Sequence, residues 1–196
     1  MTNTITDRQF EIIEAAGKIL TQSGVGGLTI KNLAKEMKFS ESAIYRHFSS
    51  KEEIIVSLLE YLADNMNERF TLLLENELEI EDHFVALFQN QFRFFNANQH
   101  FVVAVFSDGL LEESDKINST IKKIMHIKMA HLKPIIIKGQ QKQIFTSEIP
   151  TENLIHIVMG AMRLEMYKWR VANFEFDIIE SGNNVINSLL KLIKTR

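Results

Sequence analysis

The sequence predicts an all-α protein: an N-terminal three-helix helix-turn-helix domain followed by a larger helical domain, about nine helices in all. Three observations carry this. Apolar residues recur with the helical period from end to end, and no convincing alternation of period two is present. Only two prolines and eight glycines interrupt 196 residues, which leaves long stretches free to be helical. Residues 28–54, LTIKNLAKEMKFSESAIYRHFSSKEEI, hold three helix-start signals in close succession.

The first helix is expected from about Asp7 to Ser23. It places Phe10, Ile13, Gly17 and Leu20 on one face, with Ile12, Ala16 and Ile19 beside it. Gly24, Gly26 and Gly27 end it. Thr29 can cap the second helix, with Leu28 before it and Leu33 at the fourth helical position. Ser40 can cap the third, with Phe39 and Ile44 in the same places. Both pairs are hydrophobic staples, which set how the chain enters a helix. Ser50 followed by Glu53 reads as a capping box for a fourth helix, Lys51 to about Glu75. Two short helices joined by a tight turn form a helix-turn-helix, a unit that puts one helix into a DNA groove.

The acidic stretch ENELEIED (75–82) reads as a surface connection. A helix is expected from about Asp82 to Asn96, carrying Phe84, Leu87, Phe88, Gln91, Phe92 and Phe95. Another spans about Gln99–Glu112. A longer one spans about Ser114–Gln143, with Pro134 inside it as a kink or interruption. The segment IFTSEIPTEN (144–153) leads into a helix from about Thr151 to Ala172, and the last helix runs from about Phe176 to Lys194. These last two carry apolar stripes: Leu154, Ile157, Val158, Ala161 and Leu164, then Ile178, Ile179, Gly182, Val185, Ile186, Leu189 and Ile193. Such a pair can complete the chain's own core. It can also pack on the same pair of a second copy as a four-helix bundle.

Composition narrows the class. Apolar residues make up 45% of the chain, enough to fold. There is no cysteine, so disulfides and thiolate metal sites are excluded. The N-terminus lacks the pattern of a signal peptide, and no apolar run approaches the roughly 20 residues that span a bilayer. A soluble cytoplasmic protein is expected. The net charge of −3 hides an asymmetry. Within residues 29–51, Lys31, Lys35, Lys38, Arg46 and Lys51 face only Glu36 and Glu41, net +3, whereas residues 52–196 sum to −5. A basic patch on an acidic molecule is the footprint of a local phosphate contact. A merely solvated lysine face is the plain alternative.

The N-terminal 55 or so residues resemble the DNA-binding domain of TetR/AcrR-type transcriptional regulators. The matching pieces are IIEAAGKILTQSG, LTIKNLAKEM and FSESAIYRHFSSKEEI. The most specific is Ala43-Ile44-Tyr45-Arg46-His47-Phe48 with Lys51-Glu52 after it. Beyond residue 56 the likeness is one of length, helix count and apolar character. The resemblance implies a homodimer with a helix-turn-helix domain over residues 1–52. It implies a ligand-binding and dimerisation domain over 53–196, the dimer formed by the last two helices. It also implies repression relieved by a small-molecule effector. One position departs from the family pattern: Lys38 stands where the turn between the second and third helices usually has glycine. A lysine there either adopts a left-handed conformation at a cost or changes the turn.

Helical spacing assigns Ile30, Leu33, Ala34 and Met37, with Ala43, Ile44 and Phe48, to packing. The candidate DNA-binding set is Thr29, Lys38, Ser40, Glu41, Ser42, Ala43, Tyr45, Arg46, His47 and Lys51. By resemblance, Thr29, Tyr45, His47 and Lys51 contact phosphates. Glu41, Ser42 and Arg46 are placed to read bases. Arg46 can pair with guanine or simply clamp a phosphate, and Glu41 can accept from cytosine. A dimer reads two half-sites, so a near-palindromic double-stranded operator is expected.

Phenylalanines and methionines crowd the second domain. Candidate effector-lining residues are Phe88, Gln91, Phe92, Phe106, Met125, Met129, Met162, Met166 and Trp169. Flexible methionines and aromatics suit an apolar or aromatic ligand, although the same residues also make an ordinary packed core. Gln91, His126, Glu165 and Tyr167 are polar candidates to orient it. No cofactor is expected. His126 and His131 lack the spacing of a metal pair, and Glu152 with His156 reads as a surface ion pair. No nucleophile elbow, phosphate loop or dinucleotide fingerprint points to an enzyme. The alternative is a DNA-binding adaptor of the same fold, controlled by a protein partner.

Overall fold

The computed structural model of the chain describes residues 5–106, 110 and 114–195. Among them are nine helices and one isolated antiparallel bridge, Phe145 with Lys194. The helices are α1 (Asp7–Gly27), α2 (Ile30–Met37), α3 (Glu41–Tyr45), α4 (Lys51–Leu74), α5 (Ile80–Ala97), α6 (Gln99–Val105), α7 (Asp115–Gln141), α8 (Thr151–Val171) and α9 (Ile178–Ile193). The chain forms two compact units: Met1–Ala63 with Gln99–Ile124, and Asp64–Asn98 with Met125–Arg196. Helices α4 and α7 each contribute to both.

In the first unit the start signals become hydrogen bonds. Thr29 Oγ1 accepts from the Asn32 N–H at 3.1 Å, and Ser40 Oγ from the Ala43 N–H at 3.2 Å. Each such cap is worth about 1 kcal/mol. A capping box between Thr6 and Gln9 opens α1. The expected Ser50–Glu53 box is half-formed. Ser50 Oγ accepts from the Glu53 N–H at 3.1 Å, but the Glu53 carboxylate turns to the hydroxyl and backbone N–H of Ser49. Those bonds stabilise its charged form and hold its pKa below the usual carboxylate value.

The regular part of α1 stops where expected, because Gly24 takes φ 63° and interrupts the helix before its last short turn. Helix α1 packs on α2 and α6, and α2 packs on α3. A Cβ on Gly17 would lie 2.8 Å from the His100 ring, so glycine permits the close approach of α6. Ile12, Ile13, Ala16, Leu20, Leu33, Ala34, Ile44 and Phe48 are buried, as their spacing requires. Helix α6 reaches Val105; residues 107–109, 111 and 112 of the longer helix expected there lie outside the described residues.

In the second unit, α9 packs on α5 and α8. Phe84, Leu87, Phe88, Phe92 and Phe95 form the buried face of α5. Gly182 of α9 sits directly against Phe92, where a Cβ would lie 2.4 Å from its Cζ. Pro134 does not end α7, which stays helical from Asp115 to Gln141. The connection after it is pinned to the end of α9: the Thr146 N–H donates to the Ile193 carbonyl at 2.7 Å, and the Thr195 N–H to the Ile144 carbonyl at 2.9 Å. Glu152 is paired with Lys133 of α7 rather than with its helical neighbour His156. The stripe expected on α8 divides. Leu154 and Val158 are buried and Ala161 is half-buried, while Ile157 and Leu164 are exposed by 49% and 59%; Met162, Met166 and Trp169 of the same helix are also buried.

Candidate nucleic-acid interface and effector site

Helix α3 is short, five residues from Glu41 to Tyr45. Arg46 is its C-cap, and His47 lies past it in a turn whose N–H donates to the Ile44 carbonyl at 2.9 Å. Arg46 and His47 therefore project from the end of α3 and the turn after it. The chain must leave α3 early because Ser50 already caps α4 and the Phe48 side chain returns to the core. Gln9 Nε2 donates to the His47 carbonyl at 3.3 Å and ties this turn to α1.

The turn before α3 keeps its left-handed residue despite lacking glycine. Lys38 takes φ 57° and ψ 39°. Its N–H donates to the Lys35 carbonyl at 3.2 Å, and the Phe39 N–H to the Ala34 carbonyl at 2.8 Å. This is the closure that normally places glycine at the left-handed position. The lysine therefore keeps the family turn and leaves its side chain exposed.

Around this frame, Thr29, Lys38, Ser40, Glu41, Ser42, Tyr45 and Arg46 are exposed, and Ala43, His47 and Lys51 are half-buried. Tyr45 is 53% exposed although its neighbour Ile44 is fully buried. Lys31 and Lys35 are exposed as well. The Ser40 and Ser42 hydroxyls lie 2.9 Å apart.

The candidate effector residues separate into three groups. Phe88, Gln91, Phe92, Met162, Met166 and Trp169 are buried in the second unit. Met125 and Met129 are exposed, by 45% and 37%. Phe106 is buried but belongs to the first unit. Of the polar candidates, His126 and Tyr167 are exposed. Glu165 is buried and accepts from Lys168 Nζ at 2.9 Å and from the Ser181 hydroxyl. Gln91 is buried with no hydrogen-bond partner at either side-chain atom among the described residues.

Two cations that spacing did not single out stand on aromatic rings in this unit. The Arg69 guanidinium is 4.1 Å from the Phe94 ring centroid, and Lys128 Nζ is 5.5 Å from that of Phe95. Burial lowers the Arg69 pKa to about 10. Burial, then the charges of Arg163 and Arg69, lowers Lys128 to about 8. They lie 59 residues apart in sequence, so no local pattern pointed to the pair. Among the described residues, no group of three His, Asp or Glu is placed to hold a metal ion.

Residues 12–58 match the family model of bacterial regulatory proteins of the tetR family, and residues 58–192 match that of the C-terminal region of YsiA-like proteins. The chain belongs to the tetR family. It is thus a DNA-binding transcriptional regulator, of a family that acts as dimers. A relative of this TetR-family chain is the nucleoid occlusion factor SlmA of Shewanella halifaxensis, 27% identical over 168 residues, covering 86% of this chain and 83% of that protein. Among solved structures, the fatty acid degradation regulator FadR of Bacillus halodurans superposes with a TM-score of 0.85 at 18% identity, covering 97% of this chain and 98% of that one. FadR of Bacillus subtilis, solved in complex with stearoyl-CoA, gives 0.81 at 18% identity, covering 94% and 98%. These structural likenesses establish the shared fold. No helix among the described residues is long and apolar enough to cross a membrane.

Proposed function

We propose that this TetR-family protein is a repressor that binds a near-palindromic operator as a homodimer and releases it on binding a small apolar or aromatic effector. In this reading residues 1–52 hold DNA, and residues 53–196 bind the effector and the second copy. The observation that carries it is the division of residues around α3. Ile44 and Phe48 fill the core, while Tyr45, Arg46, Ser42 and Glu41 stay exposed beside the left-handed turn at Lys38. Thr29, Tyr45, His47 and Lys51 then contact phosphates, which fix register without reading sequence. Glu41, Ser42 and Arg46 reach base edges, Arg46 through the planar fork that suits guanine.

Two further observations support the rest. Ile157, Gly160, Leu164, Tyr167 and Val171 form an exposed stripe on α8 at helical spacing, and a Cβ on Gly160 would meet nothing within 4 Å. A second copy covering that stripe would remove apolar surface from water. Helix α4 follows α3 in the chain after five residues and continues to Leu74, so an effector that shifts its far half would move its start. Relatives named as nucleoid occlusion factors favour a second reading, a DNA-binding adaptor whose second unit meets a protein partner.

Operator binding across a salt series tests the DNA surface. Tyr45→Ala and Lys51→Ala should weaken binding with little sequence bias, and Lys51→Ala should reduce the salt slope by about one. Wild-type affinity in both variants would show that the DNA surface lies elsewhere. Release of operator by an apolar compound alone, with no protein added, separates the effector reading from the adaptor.

A further inference from the structure

We infer that Arg69, Lys128 and the Gln91 amide form an oxyanion-binding site in the second unit, for the carboxylate or phosphate end of a ligand. It rests on the reading of this unit as the effector unit. It goes further by assigning the effector a negative charge and the groups that meet it.

Arg69 and Lys128 have no counter-ion among the described residues. Arg69 Nε donates to Asn65 Oδ1 at 2.8 Å, and its Nη1 donates to Asn90 Oδ1. Both acceptors are neutral amides. Its remaining nitrogen, Nη2, is buried with no partner among the described residues. Two rings lie beside its guanidinium, Phe94 at 4.1 Å and Phe70 at 5.7 Å. Lys128 rests on Phe95. Neither cation has a carboxylate within ion-pair distance among the described residues. Among the described residues, the charged groups acting on Lys128 are Arg163 from α8 and Arg69 from α4, both cationic. Removing like charges from water without a counter-ion is unfavourable, and a bound anion reverses the sign of that interaction.

Gln91 adds an independent observation. It is 5% exposed, and both of its side-chain polar atoms lack partners among the described residues. Buried amides are nearly always bonded, so an orphaned one calls for a ligand group or a water. Gln91 lies one helical turn before Phe95, the ring under Lys128, on the same face of α5. In this inference the Gln91 amide supplies the donor that accompanies the two cations, and the buried phenyl rings of α5 suit an apolar remainder.

A proton linkage gives the site its own signature. An anion favours the charged form of Lys128 and raises its pKa from about 8. Binding near pH 8 should therefore take up a fraction of a proton. Isothermal titration of the full-length protein at pH 8, in buffers of different ionisation enthalpy, reads this directly. The probes are stearate, coenzyme A and inorganic pyrophosphate. Binding of stearate assigns the oxyanion to a carboxylate, and binding of coenzyme A or pyrophosphate assigns it to a phosphate. Lys128→Met should weaken the bound probe about tenfold or more and abolish the proton uptake. The ligand-free variant should melt no lower than wild type, because a repulsion has been removed. If no probe binds, if Lys128→Met binds as well as wild type, or if no proton is taken up, the site is refuted. Operator release is measured separately. Probe binding without release keeps the site and removes the effector reading.

Discussion

Replacing Lys38 by glycine should make the protein more stable, an unusual direction for a mutation in a DNA-binding motif. Lys38 sits at φ 57° and ψ 39°. That region costs a non-glycine residue about 1–2 kcal/mol, because Cβ crowds the following carbonyl. Glycine removes the crowding but has more freedom to lose on folding, about 0.5–1 kcal/mol. The side chain is exposed and the turn is closed by backbone bonds that glycine keeps, so no buried contact is lost. The net gain is about 0.5–1 kcal/mol, or about 1–4 °C in Tm for a chain of this length. Thermal unfolding followed by circular dichroism measures it. Lys35→Gly is the control of opposite sign. It removes the same charge three residues earlier, inside α2, where glycine costs about 1 kcal/mol. If Lys38→Gly melts at or below the wild-type temperature, the strain argument is wrong. The same variant reads the DNA contact independently: should Lys38 meet a phosphate, the salt slope of operator binding falls by about one as stability rises.

Three other outcomes are expected. Gly182→Ala forces a Cβ to 2.4 Å from Phe92 and should cost about 1–3 kcal/mol in denaturant unfolding, with partial recovery in the Phe92→Leu background. Burial holds His100 below the ordinary histidine pKa, despite Glu14 acting the other way. The unfolded chain therefore binds the extra proton first, and this part of the stability is present above about pH 6.5 and lost as pH falls below it. His100→Gln should flatten the profile between about pH 5 and 7, and an unchanged slope would dismiss this source. Leu164→Glu, on the exposed stripe of α8, should shift the protein toward monomer in sedimentation while leaving its helix content intact. An unaltered dimer would place the interface elsewhere.

The DNA-binding motif was legible because its signals are local. The caps at Thr29 and Ser40, the stop at Gly24 and the burial of Leu33, Ile44 and Phe48 depend on residues within a turn or two of one another. Even the departure at Lys38 announced itself, since the turn closure needs a left-handed residue at that step. Local reasoning failed where a distant element competed. Glu53 could bond Ser50 or Ser49, and the path of the chain out of α3 chose Ser49. Glu152 shared a helix face with His156, and Lys133 from another helix took it.

The sequence by itself determined the helices, their order and the family, because helix formation and capping are decided over a few residues. Which residues of an apolar stripe face inward on α8 was decided only in the tertiary structure. The periodic stripe on α8 could not say that Leu154 and Val158 turn inward while Ile157 and Leu164 stay out. The same holds for Met125 and Met129, apolar residues that the fold leaves exposed. The approach of Gly182 to Phe92 and the convergence of Arg69 with Lys128 join residues far apart in the chain. Packing and electrostatics act through space, and only the folded path brings those groups within reach.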